Sequence, residues 1–254
     1  MWLGSRAVKA LIRLISPDWL VQAYRARHYA RKAAPEECIL QELCPRGLAA
    51  VDVGGNHGGY TWVLRTIASE VHTFEPQPNL VSHLRCAFLF DRRVHIYRVA
   101  LSDKRGYGTL RIPFYQSGYC LDGLATIDRA NTLQGMQMKE VHIETAKLDD
   151  YNLRDVGFIK IDVEGHELSV LQGAYETLCR NHPTLLIEAA ERHRQGAVSS
   201  VRSFLEPLGY RGWFSFKEQR LDIERFDPLI HQRPDAVDDL GHRLADFTAE
   251  FVFS

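Results

Sequence analysis

The sequence predicts an α/β protein built on a doubly wound, mostly parallel sheet, finished on its C-terminal side by an antiparallel hairpin. Three observations carry that expectation. Val51-Asp52-Val53-Gly54-Gly55-Asn56-His57-Gly58-Gly59-Tyr60 reads as a buried strand, a turn with four glycines in six residues, and the start of a helix. Val71-His72-Thr73-Phe74-Glu75 reads as a second strand with an acid at its end, about twenty residues after the turn, as in nucleotide-binding βαβ units. Apolar runs and helix-like stretches then keep alternating, the pattern of a sheet covered by helices on both faces.

The chain has 254 residues, enough for one large α/β domain with extensions or two smaller domains. A 45% hydrophobic content allows a sizeable core, and a net charge of −1 gives no reason to expect a nucleic-acid partner. Five scattered cysteines without a C-x-x-C pair fit a reducing cytoplasm better than a disulfide framework. No apolar run reaches the length of a membrane span.

Residues 1–46 read as a helical extension ahead of the main domain, 47–254. Leu3, Val8, Leu11, Ile12 and Ile15 can share a helix face, and residues 1–32 hold seven basic side chains against one acid, Asp18. Arg13 interrupts any signal-peptide core. Such a helix either packs on its own domain, the preferred reading, or rests on anionic lipid as a peripheral contact. Ser16-Pro17-Asp18 marks a break and a second helix start.

Within the main domain, Leu48–Val53 is the first strand, and the glycines let the backbone approach a ligand at the helix start. The spacing fails G-x-G-x-x-G, so the ordinary dinucleotide fingerprint is absent. Glu75 can accept both hydroxyls of a ribose, and Pro76 and Pro78 end its strand. A nucleoside cofactor is the reading that joins turn and acid. Asn79–Phe90 suits a helix with Leu80, Leu84 and Phe88 at four-residue spacing, and Val94–Leu101 a third strand. Residues 103–146, punctuated by Gly106, Gly108, Pro113, Gly118 and Gly123, read as an insertion that covers a substrate. Asp149 reads as a cap. Phe158–Val163 is the fourth strand, followed by a helix through Leu168, Leu171 and Ala174. Thr184–Glu188 is the fifth strand, and Tyr210–Phe216 with Ala249–Phe253 form the terminal antiparallel pair.

These segments resemble the FkbM family of S-adenosylmethionine-dependent methyltransferases. The resemblance lies in Val51–Thr61, Phe74-Glu75-Pro76-Gln77-Pro78, Ala100-Leu101-Ser102, Ile159-Lys160-Ile161-Asp162-Val163-Glu164-Gly165-His166-Glu167, Leu171-Gln172-Gly173-Ala174 and Leu186-Ile187-Glu188, with a similar ending at Glu250–Phe253. Gly55 departs from the alanine expected there. The resemblance implies a class I, Rossmann-like methyltransferase fold that binds S-adenosylmethionine. It implies that Asp52, Gly54, Asn56, Gly58 and Tyr60 of the turn, Glu75 and Pro76, and Ala100, Leu101 and Ser102 form the cofactor site. The turn would take the methionine part, Glu75 the ribose and the Ala100–Ser102 segment the adenine.

Methyl transfer needs an oxygen nucleophile opposite the sulfonium and a group to accept its proton. Asp162 and Glu164 follow the fourth strand and Glu188 ends the fifth, at the sheet edge where open α/β proteins bind ligands, so these three are the candidate reaction centre. Lys160 reads as the cationic half of a buried ion pair. Asp162 and Glu188 leave Mg²⁺ open as an oxygen-ligated alternative. His166 reads as a cap or solvated side chain, and His193, between Arg192 and Arg194, as part of a charged loop. The expected acceptor is a hydroxyl of a glycan or small natural product. Transfer to nitrogen or carboxylate, a non-catalytic cofactor-binding module and a nicotinamide dehydrogenase are the alternatives.

Overall fold

Strands β1 (Ala49–Val53) and β7 (Val156–Ile161) are buried at every position and lie side by side in parallel at the centre of the sheet. The computed structural model describes residues 17–32, 34–115, 118, 120–128, 131, 136–236 and 246–254. The expected helix over the first 15 residues lies outside them. Helix α1 (Asp18–Lys32) starts just after Pro17, and α2 (Ala34–Leu43) leads into β1. The chain then runs through α3 (Gly59–Leu64), β2 (Val71–Phe74), α4 (Pro78–Ala87) and β3 (Val94–Tyr97). It continues through β4 (Ala100–Leu101), β5 (Gly106–Phe114) and β6 (Gln137–Ala146) before β7. After β7 come α5 (Glu167–Gln172), α6 (Tyr175–Asn181), β8 (Thr184–Glu188), α7 (Ala197–Leu205), β9 (Gly212–Phe216), β10 (Gln219–Asp222), α8 (Pro228–His231) and β11 (Glu250–Phe253).

The main sheet has the order β10-β9-β11-β8-β7-β1-β2-β3. Its five strands from β3 to β8 are parallel, and β11, β9 and β10 join antiparallel. This is the class I, Rossmann-like methyltransferase fold. Alternation along the strands assigns the two faces. Val51, Val53, Ile159, Ile161, Leu185 and Ile187 pack with α5, α6 and α7, whereas Ala50, Phe158 and Leu186 pack with α1, α2 and α3. Chain order reverses between β1 and β7, and a crevice opens there beyond the strand ends.

Two expectations need correction. The run from Val94 to Leu101 is not one strand: β3 stays in the main sheet, while β4 leaves it and pairs in parallel with Thr145 and Ala146 of β6. Ala100 and Leu101 are thereby buried at the root of a second sheet, β4-β6-β5, formed by the 103–146 segment. The C-terminal pair also gains a third member, β10, an edge strand whose Gln219-Arg220-Leu221-Asp222 lacks an apolar run. Asp149 lies inside the short turn Leu148–Tyr151 that it was expected to cap; its carboxylate instead accepts from the Glu176 and Thr177 amides at 3.0 and 2.9 Å at the start of α6. Among the described residues no helix is long and apolar enough to cross a membrane.

Candidate functional site

An open cleft of about 590 Å³ lies at the β1/β7 reversal, lined by the ends of β1, β2, β4 and β7 and by residues of the inserted segment. Of the expected cofactor-site residues, Gly54, Asn56, Glu75, Pro76, Ala100 and Leu101 line it, as do Asp162 and Glu164 of the expected reaction centre.

The turn after β1 is shaped by two close approaches. Gly54 has φ +84°, and a Cβ there would collide with the carbonyl oxygen of Asp162, so only glycine lets the chain leave β1 this close to the end of β7. Gly58, also left-handed at φ +83°, would bring a Cβ to 2.7 Å from Leu84 Cδ2, so it seats α3 on α4 rather than lining the cleft. Three more expected residues also stand behind the cleft. Asp52 Oδ2 accepts from Thr61 Oγ1 at 2.5 Å, tying β1 to α3, and burial raises its pKa against that bond. The Tyr60 ring lies 4.7 Å from Lys160 Nζ. Ser102 Oγ meets His166 Nε2 at 2.9 Å and Asp103 at 3.0 Å.

Glu75 is 3% exposed and held by main chain on both oxygens: the Asn56 amide donates to Oε2 at 2.9 Å and the Gln77 amide to Oε1 at 2.8 Å. Each oxygen keeps a second lone pair for a ligand. Burial pushes its carboxyl up to about 7, offset in part by those two amides. Asn56 itself sits at φ +46°, and its buried Oδ1 has no hydrogen-bond partner among the described residues, so the cleft offers an acceptor in need of a donor.

Across the cleft, the carboxylates of Asp162, Glu164 and Glu188 bring one oxygen each to within 4.8 Å of one another. Glu188 stands beside the cleft rather than on its wall. Lys160 is fully buried, with Nζ 3.5 Å from Asp162 and 3.8 Å from Glu188, the ion pair expected from its place in the strand. His193 Nδ1 lies 2.7 Å from Glu164 Oε2. Each of the three acids thus already has a protein partner, one lysine among three carboxylates, and the competition from Lys160 lends Mg²⁺ no support.

Both histidines lie closer to the site than the sequence reading implied. His193 belongs to the charged loop after β8, as expected, but is buried there: it is 6% exposed, and Arg192 Nε donates to its Nε2 at 2.6 Å. That bond makes Nε2 an acceptor, while Nδ1 faces Glu164 Oε2 at 2.7 Å and Asn131 Nδ2 at 3.1 Å. His166, at the N-cap position of α5, makes no side-chain cap; it lines the cleft, where burial lowers its pKa.

The inserted segment contributes most of what the sequence reading left unnamed. Asp122, Gly123, Ala125 and Ile127 line the cleft, and Gln77 Nε2 donates to the Asp122 carbonyl at 3.2 Å. Thr126 Oγ1 and Asn131 Nδ2 both donate to the Glu164 carbonyl, at 2.8 and 2.9 Å, and so hold Glu164 at its left-handed φ of +53°. Arg194 pairs with Asp128 at 3.2 Å, fastening the same segment to the loop that carries His193. No local sequence signal marks these contacts.

Residues 52–211 match the model of the methyltransferase FkbM domain family. A curated relative, Methyltransferase 1 of Beauveria bassiana (strain ARSEF 2860), is 24% identical over 184 residues, covering 63% of this chain and 71% of its own. The crystal structure of a methyltransferase FkbM from Methylobacillus flagellatus KT superposes with a TM-score of 0.52 at 17% identity over 96% of this chain. The match spans 60% of that chain's length, and the likeness is one of fold.

Proposed function

This chain belongs to the methyltransferase FkbM family, and we propose that it transfers the methyl group of S-adenosylmethionine to a hydroxyl oxygen of a glycan or other small natural product. The observation that carries this reading is the charge of the cleft. Glu75, Asp122, Asp162 and Glu164 line it, and among the described residues no lysine or arginine does. An acidic wall favours a cationic sulfonium cofactor and disfavours the pyrophosphate of a dinucleotide. When bound, the cofactor supplies an electrophilic methyl group.

The chain's own residues fit that partner. Glu75 has two lone pairs for ribose hydroxyls, and the unpartnered Asn56 Oδ1 takes a further donor. Ala100 and Leu101 give an apolar wall for a base. On the other side, Asp162 and Glu164 are the groups to accept the proton of an attacking hydroxyl. The left-handed backbone of Glu164 and the His193 bond fix where its carboxylate points. The same acidic wall disfavours phosphorylated acceptors and suits neutral polyhydroxyl ones. A cytoplasmic setting belongs to the same proposal.

Calorimetry tests the cofactor: S-adenosylmethionine or S-adenosylhomocysteine should bind and NAD should not. An acceptor panel scored by release of S-adenosylhomocysteine tests the reaction. Tight NAD binding without response to either sulfur compound would overturn the cofactor. Methylation of a nitrogen or carboxylate acceptor would replace the hydroxyl reading. Cofactor binding with no release across the panel would favour a non-catalytic module.

A further inference from the structure

Away from the cleft, α1 and the end of α4 expose more apolar surface than their neighbours. Leu89 and Phe90, just after α4, are 62% and 72% exposed, and Tyr24 and Leu20 of α1 are 63% and 46% exposed. The Trp19 ring meets Phe90 edge-on at 5.2 Å, joining the two elements into one patch. The inner face of α1 is already used, because Ala26 and Ala30 are buried. Its outer stripe runs Leu20, Tyr24, Arg27, Arg31, at steps of four, three and four residues, so apolar and aromatic groups give way to exposed arginines along one helix face.

Charge selects the occupant. Arg27, Arg31 and Arg92 are exposed around the patch; of its acids, Asp91 is engaged by Arg93 at 3.0 Å and Arg65 at 3.4 Å, and the exposed Asp18 beside Trp19 leaves the basic side chains in excess. Tryptophan and tyrosine between an apolar centre and a basic rim is the composition suited to a bilayer interface. The sequence ahead of Trp19 has the same character, with Arg6, Lys9 and Arg13 among apolar residues.

We propose that the outer stripe of α1 and the Leu89-Phe90 corner form a docking surface for an anionic lipid bilayer. Tyr29, on the same helix, stacks on His57 of the glycine turn with ring centres 4.4 Å apart, so the docked helix rests directly against the cofactor loop.

Sedimentation of the full chain with vesicles tests this independently of any methyl transfer. Vesicles of phosphatidylcholine with 30 mol% phosphatidylserine, a proportion of roughly the anionic character for which such patches are suited, should carry the protein down, and phosphatidylcholine alone should not. Leu89→Ser and Phe90→Ser should each weaken binding about tenfold, through lost apolar insertion. Arg27→Gln and Arg31→Gln should each weaken it about fivefold, with the loss shrinking as salt rises. All four side chains lie outside the cleft, and unchanged melting of each variant shows that the fold is kept. Failure of the wild type to sediment overturns the proposal. So does equal binding by both serine variants, which would give the lipid contact to another surface. A dimer in light scattering that Phe90→Ser separates would assign the patch to a second copy of the chain instead.

Discussion

Glu75 and Glu164 face one cleft and are held in opposite ways. Glu75 is fixed by main-chain amides from nearby in the sequence, Gln77 two residues on and Asn56 nineteen residues back. Glu164 is fixed by side chains from remote segments: Thr126 and Asn131, 38 and 33 residues earlier, and His193 on the loop after β8. The first arrangement requires only that β1 and β2 lie side by side. The second exists only once the inserted segment and the β8 loop have docked on the end of β7. The proposed cofactor half should therefore tolerate changes elsewhere in the chain, and the proposed acceptor half should depend on distant residues.

The strongest test of that division is charge removal at the acceptor half. Asp162→Asn and Glu164→Gln keep side-chain shape. If either carboxylate accepts the hydroxyl proton, its variant should lose roughly 10²–10⁴-fold in turnover with cofactor affinity and melting temperature little changed. Turnover close to wild type in both variants would remove them from the chemistry. Loss of turnover in EDTA with recovery in Mg²⁺ would make the group a metal site after all.

At the cofactor half the expected loss is smaller and appears in binding. Glu75→Ala should weaken S-adenosylhomocysteine binding by about 1.5–3 kcal/mol, the range for hydrogen bonds to a charged group. The pH dependence gives a second reading. Burial puts the Glu75 carboxyl at about 7 in the folded chain, above its ordinary value of 4.5, and Glu167, whose Oε1 accepts from the Gly165 amide, is likewise raised to about 7 by burial. A raised acid favours folding fully below its unfolded pKa, and that contribution is lost as pH rises through the folded one. The ligand-free protein should therefore melt at lower temperature as pH rises from 4.5 through 7, less steeply in Glu75→Gln and in Glu167→Gln. Cofactor affinity should run the other way, rising over the same interval as Glu75 ionises to accept ribose hydroxyls. A flat wild-type profile, or one that Glu75→Gln leaves intact, would take the ribose away from Glu75.

The same division explains what could be read from the residues. The parallel strands were legible because each is a short, largely apolar or β-branched and aromatic stretch, and Thr184–Glu188 is bounded as expected. The glycine turn and Glu75 were legible because they share one βαβ unit. Asp52, Gly58, Tyr60 and Ser102 belong to the same motifs but point to the back of the cleft, and a one-dimensional motif does not record which way a side chain turns. Thr126 left no trace, and the contact of His193 with Glu164 was not foreseen, since their neighbours in sequence are not their neighbours at the site. The split between β3 and β4 was hidden because no glycine or proline breaks the stretch between them. Only pairing with β6, more than forty residues later in the chain (145 − 100 = 45), separates them.

The smallest expected effect is the most specific to the comparison. Thr126 Oγ1 donates to the Glu164 carbonyl and accepts from the Asp128 amide at 3.0 Å, so one hydroxyl links the inserted segment to the left-handed turn. Thr126→Val keeps the volume and removes both bonds, at a cost of about 1–3 kcal/mol if the amide and carbonyl stay buried without partners. A purely structural link would lower the melting temperature and leave the kinetics alone. A positioning link should also lower kcat severalfold while the affinity for S-adenosylhomocysteine holds, because Glu75 and its two amides lie on the other side of the cleft. Thr126→Ser retains the hydroxyl and should restore kcat even if its lost methyl group costs some stability. Equal loss of kcat in the serine and valine variants would attribute the effect to packing. Loss of cofactor affinity in step with kcat would show that the two halves of the cleft are one unit, and the contrast between Glu75 and Glu164 would not hold.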